Sequence, residues 1–160
     1  MEIVVSLLNP HVELTTVHEV GHFLDFKGLD RSNLWASVSS PTLAPWREAA
    51  KRSQAVQTLG YFLNPATRTM TVTLWDGSVV KYPVDKSYVG YLLKAKELWA
   101  RSYSQFIATK SRDSVLLRQL EQERERPASG VYYPKHWEDA DFQPILAEME
   151  AIFRGLRWMR

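Results

Sequence analysis

Apolar and polar positions along the chain separate into stretches of two periods. Met70, Val72 and Leu74 alternate with threonines, Asp76-Gly77 follows as a two-residue turn, and Ser78 to Tyr82 returns. That alternation predicts a β-hairpin over about 67–84. Residues 2–8 read as a short strand closed by Asn9-Pro10. Elsewhere the period is helical. A helix is expected from about Thr15 to Lys27, with Thr15 or Thr16 as N-cap and Gly28 as its stop. Residues 28–44, Ser-rich and punctuated by Pro41 and Pro45, read as loop. A further helix carries Pro45 in its first turn and Gly60 just past its end. The stripe Leu92, Trp99, Tyr103 and Phe106 marks a long helix over about 90–109. Another begins near Ser111 and decays into the charged run 121–126, and the last spans about Asp141 to Leu156. There is no repeat and no long linker. The expectation is one α+β domain, mostly helical, covering 1–160.

Composition narrows the chemistry. The 160 residues are 45% hydrophobic and 24% charged, which is globular. Twenty Lys+Arg against 18 Asp+Glu leaves +2, too little to argue for a nucleic-acid partner. Arg154, Arg157 and Arg160 on the terminal helix read as a solvated face. The absence of cysteine removes disulfides, cysteine nucleophiles and thiolate metal sites, so any metal must be held by His, Asp or Glu. The first residues carry Glu2 where a signal peptide wants lysines, and no apolar run is long enough for a membrane span. A cytoplasmic or phage-particle location is expected.

His18-Glu19-Val20-Gly21-His22 fits the pattern H-E-x-x-H on a helix. With four His and eleven Glu, a shuffled chain would contain it in under about 1% of cases. Residues four apart stack on one face, so both imidazoles can reach one ion. His18, His22 and Asp25 lie within about 60° on the wheel, bordered by Glu19 and Phe26. Val17, Val20 and Leu24 fall opposite and are expected to face the core. Gly21 costs helix stability but permits close approach of another element. A catalytic zinc needs a third protein ligand and one open position. Metzincin spacing fails, because Asp25 and Gly28 stand where that class has Gly and His. His11 and His136 lack partner spacing and are expected at the surface or at caps. Glu97, flanked by Leu93, Ala100 and Ser104, is the best remaining ligand. It can equally be an exposed acid paired with Arg101 at i+4.

The segments His18-Glu19-Val20-Gly21-His22-Phe23-Leu24-Asp25 and Glu97-Leu98-Trp99-Ala100-Arg101-Ser102-Tyr103 together resemble gluzincin-like metallopeptidase domains of phage head-morphogenesis and polyvalent proteins. They are similar, more distantly, to the catalytic domain of anthrax lethal factor. Tyr132-Tyr133-Pro134-Lys135-His136-Trp137 and the acidic stretch after it look like the ends of such phage domains. The resemblance implies a zincin-like fold and a zinc ion held by His18, His22 and Glu97. It implies peptide-bond hydrolysis through a zinc-bound water, with Glu19 as general base and Tyr91, or Tyr88, steadying the oxyanion. Asp25 would accept a hydrogen bond from a ligand imidazole, or else be a helix-terminal acid bonded to nearby backbone. Only 17 residues precede His18, so the sheet such domains place before this helix reduces to residues 2–8 and the hairpin. The implied partner is a peptide or protein substrate, including phage structural proteins. The alternative is a phage-derived metal-binding structural or assembly module, with Tyr132, Tyr133, Trp137 and Trp158 as contact residues.

Overall fold

A computed structural model describes residues 10–29, 34–125 and 132–159. Among the described residues the chain is mostly helical with one small antiparallel sheet. Helix α1 (Val12–Phe23) runs into a π-helical turn (Leu24–Gly28), and α2 (Ala36–Ser39) follows. A 3-10 turn (Pro41–Leu43) leads to α3 (Ala44–Arg52) and α4 (Gln54–Leu63). Strands β1 (Thr69–Thr73) and β2 (Val79–Pro83) form the hairpin. Then come α5 (Lys86–Leu92), α6 (Ala95–Ser111), α7 (Ser114–Arg124) and α8 (Asp139–Gly155). The expected strand at 2–8 lies outside the described residues.

Helix α6 is the axis of the molecule. Its buried residues include Leu98, Trp99 and Phe106, which join Trp46, Trp137, Phe142 and Phe153 in the main core. Helix α1 packs mainly on α6, and Gly21 is the reason it can. A Cβ there would stand 3.0 Å from Ala100 Cα and 3.1 Å from Tyr103 Cβ. The close crossing also lets Trp99 Nε1 donate to Gly21 O at 3.1 Å. This approach reverses one expectation. Val17, Val20 and Leu24 are only partly buried, whereas Leu14, Gly21, His22 and Asp25 are buried. The histidine face is the interior face, because α6 lies against it.

Helix boundaries differ from the expected ones where distant side chains supply the caps. Helix α1 starts three residues before Thr15, with no side-chain cap at His11. Gln119 of α7 instead accepts from Leu14 N at 2.9 Å, satisfying a first-turn donor from across the fold. The helix expected from Pro45 to Gly60 is broken at Ser53, whose backbone is extended. There Ser53 Oγ accepts from Val56 N and from Trp137 Nε1, and Asp141 accepts from Gln54 N and Ala55 N. The expected 90–109 helix is likewise two, α5 and α6, separated by an extended Lys94. Asp85 caps α5 by accepting from Tyr88 N.

The hairpin pairs Met70 with Tyr82 and Val72 with Val80. Its loop is three residues long rather than two. Leu74 N donates to Ser78 O, and Gly77 takes the left-handed conformation at φ 80°. Met70 and Val84 pack with Leu59, Val89 and Leu92, so the hairpin seats α5. Lys86 helps by donating to the Phe62, Asn64 and Thr67 carbonyls at the end of α4.

Candidate metal centre

The i, i+4 spacing places the His18 and His22 rings edge to face, with centroids 4.7 Å apart. The first turn of α6 delivers Glu97 to them. Glu97 Oε2 stands 3.6 Å from His18 Nε2 and 3.5 Å from His22 Nε2. One ligand atom from each of the three residues fits within 4.8 Å of the others. These separations carry information. A charge-assisted N–H···O bond closes to about 2.7–2.9 Å. Ligands about 2.0–2.1 Å from a tetrahedral zinc stand roughly 3.3 Å apart. The observed spacing is too long for the first and within a few tenths of an ångström of the second, so the residues present fit a zinc ion.

Glu97 is buried at 5% exposure, so it is not the exposed surface acid of the alternative. Arg101 does not pair with its carboxylate; the guanidinium Nε donates to the Glu97 backbone carbonyl at 3.2 Å. Burial alone would raise the Glu97 pKa, but the two imidazoles and the Tyr91 hydroxyl outweigh it and hold the carboxyl far below its ordinary range. A carboxylate, the ligating form, is therefore favoured.

Tyr91 Oη donates to Glu97 Oε2 at 2.7 Å. In an unbroken helix, positions six apart lie about 120° around the axis and about 9 Å along it. The break between α5 and α6 brings them together. Burial first, then the Glu97 carboxylate, push the Tyr91 phenol well above its ordinary value. Tyr88 stacks on Tyr91 with centroids 6.3 Å apart. Glu19, beside His18 on α1, lines the same cleft as Tyr88, Tyr91 and Glu97, whose volume is about 280 Å³.

Asp25 does not support an imidazole. Its Oδ1 accepts from Ser37 N and its Oδ2 from Ser37 Oγ, both at 2.6 Å. His22 Nδ1 is buried without a partner. The π-helical turn and α2 bring Asp25 to Ser37, so both its oxygens are used to tie that turn to α2. It bonds backbone, as the alternative had it, but twelve residues on.

His136 is also misplaced by sequence reasoning. It is buried at 8% exposure and lines the cleft. Burial first, then the neighbouring Arg101, push its pKa well below the ordinary value, so it is uncharged near neutrality. Trp137 is core at 1% exposure, while Trp158 is 48% exposed. Arg154 pairs with Glu150 at 2.8 Å on an exposed face, as expected, and Arg160 lies outside the described residues. Arg101, fully buried and bonded to three carbonyls, has no signal in its own sequence position. Among the described residues, no helix is long and apolar enough to cross a membrane. No protein-family model matches the chain, and no curated protein or solved structure matches it significantly.

Proposed function

We propose that this chain is a zinc-dependent metallopeptidase. The observation that carries the reading is the spacing of His18 Nε2, His22 Nε2 and Glu97 Oε2. The sequence resemblance to gluzincin-like phage domains, drawn on the same three residues, agrees with it. Zinc held by these three residues would polarise the scissile carbonyl and acidify a coordinated water. The chain's own residues then divide the remaining work. Glu19 lines the cleft and takes the proton of the attacking water, then returns it to the leaving amine as the C–N bond breaks. Tyr91 donates to the developing oxyanion once its hydroxyl leaves Glu97, and Tyr88 beside it is the alternative donor. Hydrolysis of a peptide or protein substrate follows, and phage structural proteins are the candidates that the resemblance supplies.

The test is substitution with two readouts. Purified protein should bind one zinc per chain by elemental analysis and cleave casein. Glu19→Gln should keep the zinc and lose on the order of 10³-fold in kcat, the middle of the range that general-base catalysis supplies. Turnover retained by that variant would assign the base elsewhere; no zinc in the wild type would remove the reading altogether.

A second reading, a metal-holding assembly module, draws on Tyr91, whose oxygen lies 2.7 Å from the same Glu97 oxygen. If it joined the ligand set, no position would remain for water. Full zinc occupancy with no hydrolysis in wild type would select this reading.

A further inference from the structure

The segment 132–138 crosses α6 without helix or strand structure, yet it is held on both sides of His136. Arg101 Nη1 donates to Lys135 O at 2.6 Å. Gln105, one turn later on α6, accepts from Trp137 N at 3.0 Å and donates to Trp137 O at 2.9 Å. Trp137 is further fixed through Nε1 to Ser53 Oγ at 2.8 Å. The residue between these anchors is thus presented in one orientation to the cleft that holds His18, Glu19, Tyr91 and Glu97.

His136 itself gains nothing visible from this placement. Its Nδ1 is buried with no hydrogen-bond partner. An unsatisfied buried polar group destabilises the fold, so such a histidine in a cleft wall asks for an explanation. It is not part of the three-residue ligand group. With no acceptor near Nδ1, a proton there would be stranded, which favours the tautomer carrying it on Nε2. Nε2 is not sealed in the same way. His136 lines the cleft, so Nε2 is the nitrogen offered to a group bound there.

We infer that His136 is a substrate-contacting catalytic residue, donating from Nε2 to the carbonyl oxygen on which charge develops during hydrolysis. The inference rests on the peptidase reading and goes beyond it by naming a second donor, supplied by a different element from the tyrosines. No proton is transferred in this contact; the N–H stays on the imidazole throughout. A fixed donor of this kind acts on the transition state more than on the bound substrate.

The experiment compares zinc-loaded wild type with His136→Leu and His136→Gln on casein, together with zinc content and thermal unfolding. For His136→Leu the expected result is a loss of kcat on the order of 10²-fold. KM should stay within about threefold, zinc should remain at one per chain, and the melting temperature should be unchanged or higher, since an unpartnered polar atom is removed. His136→Gln, which keeps an N–H donor, should recover part of the lost kcat. Activity of His136→Leu within threefold of an active wild type overturns this inference alone. Loss of zinc and a lower melting temperature alongside activity would assign His136 to the scaffold and also overturn it. A zinc-loaded wild type that cleaves no faster than a protein-free control overturns the peptidase reading, and the inference with it.

Discussion

Two buried carboxylates on the α1–α6 pair are handled in opposite ways. Asp25, at the π-helical end, has both oxygens 2.6 Å from donors of one serine. Glu97, at the cleft end, has one such bond, and two imidazole nitrogens stand 3.5 and 3.6 Å from the oxygen that accepts it. Both acids are at most 5% exposed, so burial does not separate them. Distance does. The closed set of contacts ties the π-helical turn to α2; the open set leaves a spacing that a cation could fill. Exposure and an apolar neighbourhood therefore identify a buried acid, and only partner separation tells whether it is structural.

The largest effect expected from breaking this contrast is on metal affinity. Glu97→Ala should weaken zinc binding on the order of 10³-fold in a competition assay with a chromophoric chelator, because three protein ligands become two. Asp25→Asn should leave zinc affinity within tenfold while lowering stability by about 1–3 kcal/mol, the cost of a mismatched buried hydrogen bond. Equal zinc losses in the two variants would erase the distinction.

Gly21→Ala comes next. The added methyl meets α6 backbone at 3.0 Å, so α1 must move away from α6. Overpacking of this kind costs about 1–3 kcal/mol. Differential scanning calorimetry should record the loss, and zinc affinity should fall with it, since His18 and His22 ride on α1 and Glu97 on α6.

The smallest effect lies in the pH dependence of the metal-free protein. Burial, the leading cause, raises the Asp25 pKa above its ordinary 3.8. The folded state then holds this proton longer than the unfolded one, so its contribution declines as pH rises through 3.8 toward the folded value. Glu97 runs the other way: its pKa is depressed from 4.5, and its contribution is lost as pH falls below that. Melting curves between about pH 3 and 6 should show the declining component vanish in Asp25→Asn and persist in Glu97→Ala.

The sequence carried the mostly helical α+β class, the hairpin and the face shared by His18 and His22, because these depend on local periodicity. It did not carry the break at Ser53, the separation of α5 from α6 or the start of α1. The first and last are fixed by side chains far along the chain, Trp137 with Asp141 and Gln119, and the second by Arg101, nine residues past the Leu92 carbonyl to which it donates. Burial of His136 was illegible because its anchors Arg101 and Gln105 lie on α6, more than thirty residues before it. Glu97 was readable as a ligand only jointly with the first motif; its i+4 arginine pointed equally well to a surface pair.

Glu97, Arg101 and Gln105 are successive every-fourth residues, forming one ridge inside α6. A single stiff rod thus carries the acid and both fasteners of the segment bearing His136. Breathing of the outer helices displaces these groups together, and their mutual registry survives motions that would pull apart a centre assembled from independent loops.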